Sequence, residues 1–294
     1  MSSRVIGDLG KSVRVVIDQG GYAFHHRVVV EAESAFKAGS RWALEAVEFP
    51  VRVGTKDSRI DLLLRHIERP YYLAIECKRV NPALAQWVFF RFPTIAFERS
   101  AVERIQADGV MGGGGGTSLA EPFCGRSIND RAYHLGLVIK TDAPGDETGK
   151  NREELEKATT QAHLGANGLL ERWTGGGAVA LPQDHWRYVI PAVFTTATVI
   201  ASNLDLGAST SLESGTLLGG PIHGQEVGWL FLQSAVSLGI RAGNAVRYQS
   251  PDLALALDRE MIRTVPIVSA KSIAEFLKNF DPEIGTDPMF PHRR

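Results

Sequence analysis

A chain of 294 residues, 44% hydrophobic and 22% charged, fits one large globular domain with a substantial core. Its 32 basic and 33 acidic residues nearly cancel, which excludes a global polyanion-binding field and leaves only a local patch for any nucleic-acid contact. Two cysteines, Cys77 and Cys124, exclude a Cys-rich zinc centre, and no apolar run reaches the ~20 residues of a membrane span. Met1–Lys11 lacks the apolar stretch of a secretory leader, so no membrane partner is expected and the expected location is the cytoplasm, with reduced thiols.

Val13–Ile17 reads as a short strand or a helix start, closed by Gly20-Gly21. Val28, Val29, Ala32, Ala35 and Phe36 repeat at helical spacing over Phe24–Ala38, and Gly39 stops that helix. Leu44–Val53, Ile60–Leu64 and Tyr71–Val80 read as three strands with short connections, suited to an antiparallel meander. Gln86–Phe92 is aromatic-rich, Ile95–Asp108 suits a charged helix, and the glycines of Gly112–Gly116 form a loop. Tyr133–Lys140 reads as a strand and Thr141–Lys150 as a surface loop. Arg152–Trp173 is a second helix, opened by Glu153, Glu154 and Glu156, with Gly165 and Gly168 weakening its second half. Trp186–Ile200 forms one long strand or two, Leu206–Gln225 is irregular, Val265–Ser269 is a strand and Ser272–Phe280 a helix. The tail after Asp281 wraps the surface. No repeat or clean linker divides the chain, which favours one elaborated domain over 1–294.

The chemistry concentrates in two strands. Alternation places Glu76 and Lys78 on one face of the third strand and Leu73, Ile75 and Cys77 on the other. A lone Glu-x-Lys is expected about once by chance in a chain of this size, and its simplest account is an edge-strand ion pair. What raises its meaning is Asp61, which interrupts the apolar strand Ile60–Leu64, where Asp is disfavoured. A hairpin pairing sets Asp61 beside Glu76, and a hard divalent cation relieves the repulsion of two carboxylates. Asp61 and Glu76 then hold Mg²⁺, with Mn²⁺ as a substitute and the Cys77 carbonyl as a further ligand. Lys78 steadies an attacking hydroxide or the charge on the phosphorane.

The segments Val28–Phe36, Ser58–Leu64 and Tyr71–Arg79, above all Leu-Ala-Ile-Glu-Cys-Lys-Arg read with Ile-Asp-Leu-Leu-Leu, resemble the PD-(D/E)xK nuclease superfamily. The resemblance implies an α/β, restriction-endonuclease-like core (αβββαβ, a mixed central sheet flanked by helices) over about 22–80 and 151–202. A large insertion, 81–150, would interrupt that core and a C-terminal extension, 203–294, would follow it. It also implies an acidic residue from the first helix, for which Glu33 is the choice, with Glu31 nearly equal and Glu45 and Glu48 of the first strand as lesser candidates. A polar residue from the second helix is implied too, and Gln161 fills that place, although a solvated glutamine accounts for it equally. The implied function is a Mg²⁺-dependent endonuclease acting on DNA, with RNA left open. It would serve as the nuclease subunit of a prokaryotic defence or restriction system, as a homo-oligomer or beside a helicase or ATPase. The rival is a noncatalytic nucleic-acid-binding or assembly protein that keeps the fold.

Other signals carry less. Gly145–Asn151 has three residues between its glycines and Asn after Lys150, where a phosphate-binding P-loop needs four and Ser or Thr. The eight histidines show no zinc spacing; His26 or His163 could approach the site from the two helices, but a structural or solvated histidine is the better account of each. No Gly-x-Ser-x-Gly elbow is present. Trp87, Phe89, Phe90 and Phe92 around Arg91 suit a core or interface better than base stacking.

Overall fold

The computed structural model describes residues 7–91, 108–111, 132–139, 153–174, 186–235 and 262–282, which form an α/β arrangement on two mixed sheets. Helices α1 (Gly7–Gln19) and α2 (Tyr22–Lys37) meet at Gly20-Gly21, so Val13–Ile17 is helical. Gly21 lies at φ 74°, a left-handed turn that glycine makes without a Cβ penalty. α2 buries His25, Val28, Ala32 and Ala35, a three-and-four spacing that gives one apolar face. Phe36 stays 40% exposed, so the helix is rotated relative to the stripe read from sequence, and the rotation turns His25 inward.

Strands β1 (Trp42–Val53), β2 (Lys56–His66) and β3 (Tyr71–Lys78) form the expected antiparallel meander. On its other edge β3 runs parallel to β8 (Trp186–Thr195), from Tyr71 opposite Tyr188 to Lys78 opposite Thr195. A strand interior to a mixed sheet is covered on both faces, which is why Tyr71–Ile75 are buried without alternation. α2 and the C-terminal helix α4 (Ile273–Asn279) contribute to the core over one face, around Leu62, Leu64, Leu73, Ile75 and Phe194. α3 (Glu153–Thr174) covers the other, with Ala166 and Leu169 against Leu63, Tyr72 and Ala74. Its glycines are close-approach positions: a Cβ on Gly168 would lie 2.7 Å from Val51 Cβ, and one on Gly165 3.0 Å from Ile60 Cγ1.

The main sheet continues from β8 through β12 (Ile262–Ser269) and β11 (Trp229–Ala235) to β6 (Ala132–Tyr133), while β5 (Asp108–Met111) pairs with the start of β8. The second sheet has the order β10 (Gly224–Glu226), β9 (Thr198–Ser202), β4 (Gln86–Phe90), β7 (Leu135–Ile139). Trp186–Ile200 is therefore two strands in different sheets, broken at Thr196-Ala197. There the Ala197 N–H donates to Thr195 Oγ1. Trp87 and Phe89 are fully buried in the core beside the second sheet and offer no face to a base; Phe92 lies outside the described residues. Segment 81–150 supplies strands to both sheets, and segment 203–294 supplies β11, β12 and α4 to the main layer. Asp281 fastens that return, 2.7 Å from Arg41, 3.1 Å from Arg69 and 3.5 Å from His66.

Of Ile95–Asp108 only Asp108 is described, and it opens a strand. The Gly112–Gly116 loop, the 141–150 loop with its near-miss glycine motif, and the tail from 283 lie outside the described residues. Among the described residues no helix is long and apolar enough to cross a membrane.

Candidate metal-binding cleft

The site arises where two paired strands part. The β2–β3 ladder runs from Arg65 opposite Tyr72 to Leu62 opposite Ile75 and ends there, while β3 stays paired with β8 through Lys78. Past that point the Cys77 N–H donates to Asp61 Oδ2 at 2.8 Å, so a carboxylate takes over from the backbone ladder. A cleft of about 480 Å³ opens at this fork, lined by Ser58, Arg59, Asp61, Glu76, Cys77, Lys78, Arg79 and Gln161, with Gly20-Gly21 at its lip. Glu76 and Lys78 share strand parity with Tyr72 and Ala74, beneath α3, as alternation requires.

Electrostatics at the fork are unfavourable for the bare protein. Burial pushes the Glu76 carboxyl up to about 8; the Asp61 carboxylate adds to this, and Lys78 and then Arg59 oppose it. Asp61 is also raised, first by burial, against the pull of the Cys77 N–H, His25 and Arg59. Two desolvated carboxylates facing one space are the condition a divalent cation relieves. Among the described residues no group of three His, Cys, Asp or Glu side chains gathers to hold a metal. A pair of carboxylates suits Mg²⁺, which keeps several waters and binds through one or two of them. The Cys77 side chain is half-buried against the core, and burial, with the Asp61 and Glu76 carboxylates adding to it, pushes its thiol well above the usual range.

Asp61, Glu76, Cys77, Lys78 and Gln161 thus line a common cleft. Glu33 does not: it is exposed on α2, because the rotation that buries His25, Val28 and Ala32 turns it to solvent. Glu31 pairs with Arg27 at 2.8 Å on the helix surface, and Glu45 pairs with Arg65. His26 is exposed and His163 is buried within α3; neither lines the cleft. From α2 it is His25 that reaches the site, its Nε2 2.8 Å from the Asp61 carbonyl oxygen. Glu48, a lesser candidate from sequence, lies 3.6 Å from Arg59 and 3.8 Å from His25, and its charge adds to the field on Asp61. It holds φ 49°, a left-handed conformation that costs a non-glycine residue about 1–3 kcal/mol and tends to persist at functional sites.

Sequence reasoning did not assign Arg59, His25 or Glu154 to the site. Arg59 stands two residues before Asp61 and His25 three before Val28, so strand and helix periods pointed to both. Glu154, seven residues before Gln161 on the same helix face, ion-pairs with Lys78 at 3.2 Å. No family model matches this chain, and no curated protein or solved structure matches it either.

Proposed function

We propose that this chain is a Mg²⁺-dependent nuclease of the PD-(D/E)xK kind that hydrolyses phosphodiester bonds of DNA. The observation that carries this reading is the fork itself. Asp61 and Glu76 arrive from neighbouring antiparallel strands at one cleft, with Lys78 beside Glu76 on the same strand face. The order of helix, three antiparallel strands, helix and parallel strand supports a restriction-endonuclease-like core.

Asp61 and Glu76 would hold the ion, with the Cys77 carbonyl as a further oxygen. The bound ion supplies Lewis-acid polarisation of a phosphate and an acidified water. The Cys77 N–H fixes the Asp61 carboxylate, and the His25 ring fixes the Asp61 backbone, so the first ligand is held before substrate arrives. Lys78 offers its ammonium to the charge that grows on the phosphorane oxygens, where a preorganised cation stabilises the transition state more than the ground state. Arg59 and Arg79, also in the cleft wall, suit the phosphates on either side of the scissile one. Glu48 of β1, whose charge acts on Asp61, is the candidate for the acidic contribution expected from the first helix.

Incubation with single- and double-stranded DNA and RNA in Mg²⁺ or Mn²⁺ tests the reading, with Glu76→Ala as control. DNA cleaved by the wild type and not by the variant is the expected result. Cleavage of RNA alone would reassign the substrate. Failure to cleave either polymer, with no metal binding, would favour the noncatalytic binding protein, a reading that also fits the absence of a third His, Cys, Asp or Glu ligand among the described residues.

A further inference from the structure

We infer that Glu154 is a positioning residue for Lys78, holding its ammonium toward α3 and away from Glu76 so that the carboxylate pair stays free for a cation. This rests on the metal-cleft reading above and adds a positioning contact to it.

The end of β3 is fixed by backbone contacts that leave the Lys78 side chain to choose its partner. The Thr196 N–H donates to the Lys78 carbonyl at 3.1 Å, and the Val80 N–H donates to Thr196 Oγ1 at 3.0 Å. From that anchored backbone the ammonium has two carboxylates within its strand face and the facing helix. Glu76 lies two residues back on the same face; Glu154 lies in the first turn of α3. It takes Glu154, Nζ to Oε2 3.2 Å.

Two features favour that choice. Glu154 sits at a helix N-terminus, where the aligned peptide dipoles favour a carboxylate. The neighbouring lysine makes its direct pair elsewhere, with Lys157 at 2.6 Å from Glu153. Glu154 does not line the cleft, whereas Lys78 and Gln161 do, so the ammonium pairs with a residue outside the cleft lining. Lys78 and Glu154 are 22% and 37% exposed. A pair this open to water is weak enough for an arriving phosphate to draw the ammonium over. Glu154 therefore parks Lys78 in the cleft wall, where its charge acts on Glu76 without forming an ion pair with it.

Without Glu154, the carboxylate on the same strand face is Glu76, and an ammonium settled there competes directly with a metal ion. Calorimetric titration with Mn²⁺ tests this on the full chain, using wild type, Glu154→Gln, Glu154→Asp, Lys78→Met and the Glu154→Gln/Lys78→Met double variant. Thermal melts check that each is folded. Glu154→Gln should weaken Mn²⁺ binding by about tenfold, because the released ammonium then competes with the ion for Glu76. Glu154→Asp should recover part of the loss, and the double variant should bind like Lys78→Met alone. That restoration is a readout a purely structural role would not give. Unchanged affinity in Glu154→Gln, or a loss that Lys78→Met does not restore, overturns the inference while leaving the metal site standing. Absence of Mn²⁺ binding by the wild type overturns both.

Discussion

Replacing Glu76 by Gln probes the fork without cleavage chemistry. The substitution keeps the shape of the side chain and removes its charge. In the folded chain the carboxyl is pushed from an ordinary 4.5 to about 8. Below pH 4.5 both folded and unfolded chains hold the proton, so wild type and variant differ little from this source. Between pH 4.5 and 8 the unfolded chain loses its proton while the folded chain keeps it. The folded state then binds more protons, and wild-type stability falls as pH rises. Above pH 8 the difference is constant. At about 1.4 kcal/mol per pH unit the displacement corresponds to a ceiling of about 5 kcal/mol. The group is only partly buried and its repulsion is shared with Asp61, so dielectric relaxation should leave about 2 kcal/mol. For a chain of this size that is about 4–8 °C in Tm. Thermal and urea unfolding with chelator present, from pH 4.5 to 9, provides the measurement. Glu76→Gln should match the wild type at the acid end and exceed it by that margin above pH 8. Parallel curves across the whole range would refute the claim that Glu76 is held protonated by its surroundings.

Three further expectations follow from the same geometry. Mn²⁺ binding at pH 7 should release about one proton per ion, because Glu76 must ionise to become a ligand; calorimetry in buffers of different ionisation enthalpy would give no buffer dependence if it were already charged. Lys78→Ala should abolish cleavage of plasmid or oligonucleotide, with Tm changed by no more than a few degrees, because its side chain sits at a solvent-open cleft and its ion pair is half-exposed. Full activity in that variant would remove Lys78 from the mechanism. Gly168→Ala should destabilise by about 1–2 kcal/mol in denaturant titrations, since overpacking against Val51 outweighs the roughly 1 kcal/mol gain in helix propensity. A stabilised variant would mean that α3 does not press on β1 at this point.

Local pattern carried much of the site. Period-two alternation alone put Glu76 and Lys78 on one face. The Asp that breaks the Ile60–Leu64 run marked the neighbouring strand, and the structure brings the two together at the fork. Helix α3 was legible from its acidic first turn and its apolar repeat, and with it Gln161. These features depend on residues close in sequence, whose geometry the backbone periods fix.

What sequence did not decide depends on long-range packing. Whether Glu33 or Glu31 of α2 faces the site turns on how far that helix rotates about its axis, and neither lines the cleft. That angle is set by His25, Val28 and Ala32 meeting the sheet, not by the stripe seen in isolation. Parallel pairing of β3 with β8, more than a hundred residues apart, leaves no local mark, and neither does the return of β11, β12 and α4 to the main sheet. The aromatic run at Trp87–Phe90 reads alike whether it meets a base or a core, and only the second sheet settled it as core. The Lys78–Glu154 contact likewise joins a strand to a helix across the intervening insertion. Sequence determined which charged groups stand in apolar strands; tertiary packing decided which of the remaining charges meet them, because burial and partner choice are properties of the assembled fold.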